Sequence, residues 1–409
     1  MHLLFADRLP DHTLDELERR GHVCVMEPGL AADDLPTRVA GFDALVVRST
    51  KVTRTVFETA DRLALVIRAG AGTNTIDTDA AANHGVLVSN VPGRNAVAVA
   101  ELTMGLLLAI DRRIADNVTD LRRGHWDKAR YSKARGLLGS TMGVIGLGSI
   151  GFAVAERAAA FGIHVQALAK PGRPAHAVSR AEDLAITMCD SMEELLSSSD
   201  IVTLHVPSGE DTRHLVDDHF LDRMRNGAIL LNTSRGDVVD EPALLKALDA
   251  GAVRAGLDVF ADEPGSAQGS WDSPLGRHPN VVATHHIGAS TEQAQDAIAA
   301  GVTEIVDAFM AGEALHCVNL DPRRLGSSTL TVRHLDRVGV LAHVLDQLSN
   351  AGLNVEHMEN RVFRGGEAAV ASIDVAGRTD EALLADLRGI PDVLGVSEAT
   401  LGEDVERAR

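Results

Sequence analysis

Short apolar runs alternate with amphipathic stretches through the first 90 residues: HLLFA, LDELERRG, HVCVM, ALVVRS, LALVIRAG and GVLVSN. Runs of four to six apolar residues, each stopped by a turn or a polar residue, predict buried parallel strands with helices between them. A helical pattern then extends from Asn95 to about Gly124. Its first half is apolar nearly all round (Val97, Val99, Leu102, Met104, Leu106, Leu107), which predicts a helix buried in the monomer or across a subunit interface. A second α/β series begins at MGVIGLGSIG and continues through HVQALA, DIVTLHVP, GAILLNTS, RAGLDVF and NVVATHH. After His286 the pattern returns to helix, roughly Thr291 to Ala311. Residues 319–327, within CVNLDPRRLGSS, read as a linker.

The last stretch is a smaller unit. STLTVRHL, LNVEHMENRVF, EAAVASIDVAG and VLGVSEATL have the pattern of strands, and GVLAHVLDQLSNAG and TDEALLADLRGI that of helices. Arg364-Gly365-Gly366 signals a hairpin, and Thr379 is the expected N-cap of the second helix. The resulting order, βαββαβ, is the ferredoxin-like plan, expected over 328–403.

A chain of 409 residues is too long for one ordinary domain, so two or three are expected. The opening MHLLFADRLPDH meets charge too early for a signal peptide, and the apolar run Glu101–Ile110 is too short to span a membrane. Cys24, Cys189 and Cys317 are scattered without metal-ligand or disulfide spacing, so no metal is expected and a reducing cytoplasm is. The formal net charge of −19 argues against nucleic acid as the main partner. An anionic substrate then requires a local basic pocket.

Gly146-Leu147-Gly148-Ser149-Ile150-Gly151 follows the strand MGVI and opens the helix SIGFAVAERAAAFG, the context a dinucleotide-binding GxGxxG requires. Gly146 permits the tight turn, Gly148 lets the backbone approach a pyrophosphate, and Gly151 lets helix and sheet pack closely. The helix N-terminus offers N–H groups to the phosphates. The carboxylate that usually takes the ribose hydroxyls is missing: no acidic residue occurs between Glu156 and Glu182. Ala169-Lys170-Pro171-Gly172-Arg173 stands there instead, and Lys170 and Arg173 either pair with a 2′-phosphate or form a solvated loop. NAD and NADP both remain open.

Three polar residues follow three successive apolar strands: Arg235 after AILLNTS, Glu263 after GLDVFAD, and His286 after VVATH. Ligands of an open α/β sheet gather at the carboxyl ends of strands, so all three are expected on one edge. Their types suit redox chemistry at a carbonyl. Imidazole moves the proton that accompanies hydride transfer, a neighbouring carboxylate favours its charged form, and guanidinium grips a substrate carboxylate with paired hydrogen bonds.

TSRGDVVDEPAL, AGLDVFADEP and THHIGAST resemble the signatures of the D-isomer-specific 2-hydroxyacid dehydrogenases, and VVRSTKVT and IRAGAGTNTID extend the resemblance over nearly the whole chain. The resemblance implies two Rossmann-like lobes. Residues 1–96 and 286–318 form a discontinuous substrate domain, and 97–285 a nicotinamide dinucleotide domain, with a C-terminal ACT-type regulatory module. It assigns Arg235 to the substrate carboxylate, His286 to acid/base work and Glu263 to its support. Where the family usually has Pro, this chain has His285; His286 is favoured because it immediately precedes Ile287-Gly288. Asp258 matches a position that holds the nicotinamide carboxamide. His205, Val206, Pro207, Thr212, Thr233, Ser234 and Gly288 are counted with the cofactor site. The buried helix after Asn95 is similar to the family's dimer-forming element, which implies a homodimer or homotetramer.

Arg48-Ser49-Thr50 and Arg68-Ala69-Gly70 also follow strands. The resemblance places Arg48, Ser49, Arg68, Ala69 and Gly70 against the substrate, and paired arginines favour a phosphorylated acid such as 3-phospho-D-glycerate over a lactate-type one. His334, Asp336 and Asn354 match an L-serine site between ACT units, with Asp336 replacing the family's Asn. An enzyme for an unphosphorylated 2-hydroxy acid, and a nucleotide-sensing co-repressor or scaffold of the same fold, stay as alternatives.

Overall fold

The computed structural model describes residues 1–264, 268–320, 326–377 and 379–400, and the chain forms two compact units that divide after Asn319. Most of the expected linker, including Pro322, and residues 401–403 lie outside the described residues.

The first unit holds two parallel sheets. One contains β1 (His2–Phe5), β2 (Val23–Met26), β3 (Ala44–Val47), β4 (Leu65–Arg68) and β5 (Leu87–Asn90), in the order β2-β1-β3-β4-β5. The other contains β6 (Thr141–Ile145), β7 (His164–Leu168), β8 (Thr187–Cys189), β9 (Ile201–Leu204), β10 (Ala228–Asn232), β11 (Val253–Leu257) and β12 (Val281–Ala283), in the order β12-β11-β10-β9-β6-β7-β8. Helices cover both faces of a parallel sheet, so its strands are continuous apolar runs; β3, β9 and β10 are buried throughout. The direction of winding reverses between β6 and β9, which opens a crevice at their carboxyl ends.

The helix Glu292–Met310 packs Ile298, Val302, Ile305 and Val306 into one core with Leu3, Phe5, Val46 and Ile67 of the first sheet. Beyond it the chain returns to β5, where the Val318 N–H donates to the Val88 carbonyl at 2.8 Å. Thr291, where the helical pattern was expected to begin, caps this helix through its side chain.

Three local expectations are corrected. The long helix after Asn95 is two helices, Ala96–Asp111 and Ile114–Arg122, because Arg113 adopts a left-handed φ of 51° and turns its guanidinium to Asp116 at 2.6 Å. The first of them lies inside the unit, with Ala100, Met104 and Leu107 in the core beside Phe152, Val154 and Leu231; the second buries no residue. β8 was not anticipated, being a three-residue edge strand with too little apolar pattern to register. In the second unit the helix Glu381–Arg388 is capped by Asp380, whose carboxylate takes the Leu383 N–H, while the Thr379 hydroxyl turns to Glu398.

That second unit is a four-stranded antiparallel sheet of β13 (Ser328–Leu335), β14 (Asn354–Val362), β15 (Ala368–Ala376) and β16 (Val393–Thr400), ordered β14-β15-β13-β16. Its helices, Val340–Asn350 and Glu381–Arg388, place Val344, Leu348, Leu384 and Leu387 over Leu330, Val332, Ala371 and Ile373. β14 is an edge strand and largely exposed.

Candidate active site

β10, β11 and β12 are adjacent and parallel, so the segments leaving them share one edge of the sheet. Arg235, Glu263 and His286 lie on those segments. The His286 Nδ1 meets Glu263 Oε2 at 2.7 Å, and the Phe260 N–H donates to the other oxygen at 2.9 Å, so the carboxylate is fixed from both sides. Burial alone would raise the Glu263 carboxyl, but the hydrogen bonds from His286 and Phe260 and the charges of His286 and Arg235 hold it below the usual range. With Nδ1 engaged, Nε2 of His286 is the nitrogen left for a substrate. His286 itself has a φ of 52°, a sparsely used conformation that the surroundings must enforce. The enforcer is Asp258. Its backbone carbonyl accepts from His286 N–H at 2.8 Å, and its buried carboxylate from the Ile287 and Gly288 N–H groups and the Thr284 hydroxyl. Both Asp258 oxygens thus hold the turn beneath His286.

Arg235 points away from its own sheet. Its Nη2 lies 2.3 Å from where a Cβ at Gly72 would stand, so the guanidinium rests against the bare backbone beyond β4, and Nη1 donates to the Ser234 carbonyl at 2.6 Å. Arg68, at the end of β4 ahead of Ala69 and Gly70, is close enough to Arg235 and Arg48 to feel both. Burial, then repulsion from Arg235 and Arg48, pushes its guanidinium down to about 10, and its Nε is buried without a partner. No ion pair binds Arg48, Arg68 or Arg235 among the described residues. The backbone N–H groups of Arg48, Ser49 and Thr50 all donate to Asp7 Oδ2, at 2.6, 3.0 and 3.1 Å. The main chain of Ser49 is therefore occupied by a carboxylate already.

The glycine turn sits at the β6–β9 crevice. Gly146 has a φ of 98°, and a Cβ there would stand 2.3 Å from the His205 carbonyl oxygen; one on Gly151 would stand 2.1 Å from the Gly146 oxygen. The helix starting at Ser149 has Gly148 as N-cap and no side-chain cap, so its first N–H groups face the crevice, while Ile150 packs into the core. His205, after β9, is held neutral: burial pushes it down to about 3, its Nε2 meets the Thr203 hydroxyl at 2.9 Å, and its buried Nδ1 has no partner. Val206 joins the core, and Thr212 Oγ1 donates to the Pro207 carbonyl at 2.7 Å. The hydroxyls of Thr233 and Ser234 turn inward, to Thr103 at 3.0 Å and to Asn232 at 2.7 Å. A turn that only glycines can close and an uncapped helix start fit a dinucleotide. At the end of β7, Lys170 is exposed, but Arg173 folds back and donates to the Leu168 carbonyl at 3.1 Å and to Leu147 of the glycine turn at 3.5 Å.

Sequence reading missed three supports of this site: Asp7, Asn232 and Thr284. Asn232 accepts from Ser234 N–H and donates to the Arg235 carbonyl at 2.8 Å; an Asx turn in Asn-Thr-Ser-Arg was its available signal. Asp7 and Thr284 act through distant partners and carried none.

In the second unit, His334 is 1% exposed and both ring nitrogens are engaged, Nδ1 with the Leu335 carbonyl at 2.8 Å and Nε2 with Asn360 Oδ1 at 3.1 Å. Asp336 N–H donates to the Glu367 carbonyl at 3.0 Å, and exposed Asn354 pairs with Glu356. His334 faces Ala369 of β15 and Asn354 faces Ala376, so they lie seven residues apart along that strand, roughly 23 Å. One copy of the unit does not bring them together.

Comparison with known proteins matches residues 104–288 to the family of D-isomer specific 2-hydroxyacid dehydrogenases, NAD binding domain. The D-3-phosphoglycerate dehydrogenase of Methanocaldococcus jannaschii is 41% identical over 79% of this chain and 61% of its own. The hydroxypyruvate reductase of Thermotoga maritima is 40% identical over 71% of this chain and 92% of its own. The crystal structure of the TT0316 protein from Thermus thermophilus superposes with a TM-score of 0.69 at 33% identity, over 78% of this chain and all of that one. The chain spans 54 to 61% of the length of the first three phosphoglycerate dehydrogenases it matches.

Proposed function

Because the chain belongs to the D-isomer-specific 2-hydroxyacid dehydrogenases, a family of NAD-dependent oxidoreductases, we propose that it oxidises 3-phospho-D-glycerate to 3-phosphohydroxypyruvate, opening L-serine synthesis. The observation that carries this reading is the cluster Arg48, Arg68 and Arg235, without ion-pair partners, beside the His286–Glu263 pair. A buried guanidinium at Arg68 that is repelled by both Arg235 and Arg48 suits a substrate with two anionic ends. Arg235 holds the carboxylate through paired hydrogen bonds, and Arg48 and Arg68 face the phosphoryl end. His286 takes the hydroxyl proton at Nε2 as the C–H hydride leaves, and Glu263 stabilises the resulting imidazolium. Bound nicotinamide supplies the hydride acceptor. In the reverse direction His286 returns the proton to the substrate oxygen.

The likeness to a hydroxypyruvate reductase, over 92% of that protein's length, favours a second reading, an unphosphorylated acid. Initial rates with 3-phospho-D-glycerate and D-glycerate separate the two: kcat/KM should be higher for the phosphorylated acid. Equal values, or a preference for glycerate, overturn the first reading. No turnover of either leaves the co-repressor or scaffold.

We propose that cofactor choice is relaxed. Arg173, held at the glycine turn, and Lys170 favour a 2′-phosphate where Ala169 offers no carboxylate to exclude it. Both NAD and NADP should support turnover. Arg173→Ala should weaken NADP binding by about 10- to 100-fold, read by quenching of protein fluorescence, and Ala169→Asp should restore preference for NAD. Strict NAD dependence in the unaltered protein overturns this.

The substrate domain is proposed as residues 1–96 with 286–318, the cofactor domain as 97–285, and the C-terminal unit as an ACT-type module. Joining β14 edges of two copies would bring His334 and Asp336 of one toward Asn354 of the other, across which L-serine would bind. Serine should then inhibit the whole protein and raise its melting temperature; an unresponsive titration leaves the module to oligomerisation alone. A homodimer is proposed, with the exposed apolar side chains of Trp126, 82% exposed and just past the helix Ile114–Arg122, and Leu138, 86% exposed, in its interface, and sedimentation velocity as the check. Three free thiols suit a cytoplasmic setting, and among the described residues no helix is long and apolar enough to cross a membrane.

A further inference from the structure

β1, β3 and β4 are neighbours in the first sheet and run parallel, so Arg8, Arg48 and Arg68, which end or follow them, emerge at the same edge. Arg48 and Arg68 belong to the substrate cluster described above. Arg8 has no role there, yet it lines a cavity of about 270 Å³ together with Arg48, Gln295, Leu9, Pro10 and Asp11. A smaller pocket shared by Arg8 and Arg48 reaches inward to Ala69, the residue after Arg68.

We propose that Arg8, with Arg48 and Gln295, forms the subsite for the phosphoryl group and so decides between phosphorylated and unphosphorylated acids. The inference rests on the phosphorylated-substrate reading above. Four observations support it. Arg8 and Arg48 have no ion-pair partner among the described residues, in a chain with 58 acidic side chains against 39 basic ones. The Asp7 carboxylate is already shared by three backbone N–H groups of the Arg48 loop; it pins that loop and leaves the guanidinium of Arg48 for a ligand. The helix Asp11–Arg19 begins at the cavity wall behind Pro10, which supplies no side-chain cap, so the positive end of the helix faces the same space. Gln295 adds a neutral donor from the helix Glu292–Met310, whose Ile298 closes the inner pocket.

Asp11 is the opposing group. It lines the outer cavity and works against a dianion, which gives a second, opposite variant.

The test compares Arg8→Ala, Arg8→Lys and Asp11→Asn in the full chain, each checked for fold by circular dichroism. Arg8→Ala should raise KM for 3-phospho-D-glycerate about 10- to 100-fold with a far smaller change in kcat, the range expected for a hydrogen bond to a charged group. Its effect on D-glycerate should be at least tenfold smaller. Arg8→Lys should recover part of the loss, and Asp11→Asn should lower KM for the phosphorylated acid only. Inorganic phosphate, as a probe, should raise the melting temperature of the unaltered protein more than that of Arg8→Ala. Equal losses on both acids, or none on the phosphorylated one, overturn the subsite. If the unaltered protein shows no preference for the phosphorylated acid, the substrate reading falls. The anion subsite then stands or falls on the phosphate-induced shift alone.

Discussion

Replacing His286 with alanine is expected to lower kcat about 10²- to 10⁴-fold while cofactor affinity stays near its original value, because only proton transfer is lost. The surroundings of His286 explain why the effect should be confined to chemistry. Its ring is fixed by Glu263 at 2.7 Å, and its turn by the backbone carbonyl and both carboxylate oxygens of Asp258. The contacts of the turn do not depend on the imidazole remaining in place. The neighbouring His285 provides the control. It is exposed, and the contact with Glu263 belongs to His286, so His285→Ala should retain most of its activity. An active His286→Ala beside an inactive His285→Ala would assign the proton to the other ring.

Gly236→Ala is expected to cost both stability and turnover although no reacting group is altered. A Cβ at this position would stand 2.0 Å from the Phe260 carbonyl carbon, 2.1 Å from its oxygen and 2.4 Å from the Ala261 nitrogen. All three are main-chain atoms and cannot step aside as a side chain would. The segment after β10, which carries Arg235, must therefore separate from the segment after β11, whose Phe260 N–H orients Glu263. Overpacking of this kind costs about 1–3 kcal/mol. A displacement of roughly 1 Å between a substrate-binding and a proton-transfer group lowers kcat/KM about 100-fold. Thermal melts and steady-state rates on the same preparation check both. A variant with unchanged melting and rate would show that the two segments can part without consequence.

Most strands of both parallel sheets were legible because burial on two faces writes itself as unbroken apolar runs, and the helix Glu292–Met310 because a helical pattern resumes near Thr291. The candidate catalytic trio could be nominated because strand ends of adjacent parallel strands share an edge. What stayed hidden depends on contacts distant in sequence or on single torsions. Nothing local in Arg112-Arg113 announces a left-handed residue, and the three-residue β8 is too short to carry a period. The Gly236 contact joins backbones of two separate segments, and Asp7 meets Arg48, Ser49 and Thr50 only after β1 and β3 pair. Arg8 looks, in sequence, like any solvated charge in ADRLPD. Its significance lies in the neighbouring strand that brings Arg48 to the same cavity.

The lowered proton affinity of Arg68 also has a bearing on how hardy the molecule is. A guanidinium whose charge is less favourable in the folded chain than in water subtracts from folding free energy wherever it is ionised, hence throughout the neutral range and until the pH approaches 10. An arginine to methionine change at 68 would relieve that burden and make a more heat-resistant but less competent catalyst, the usual conflict between durability and activity. The same reasoning makes the choice of buffer matter: sulfate or phosphate, by screening and occupying the cleft, should extend the shelf life of the purified protein where chloride does not.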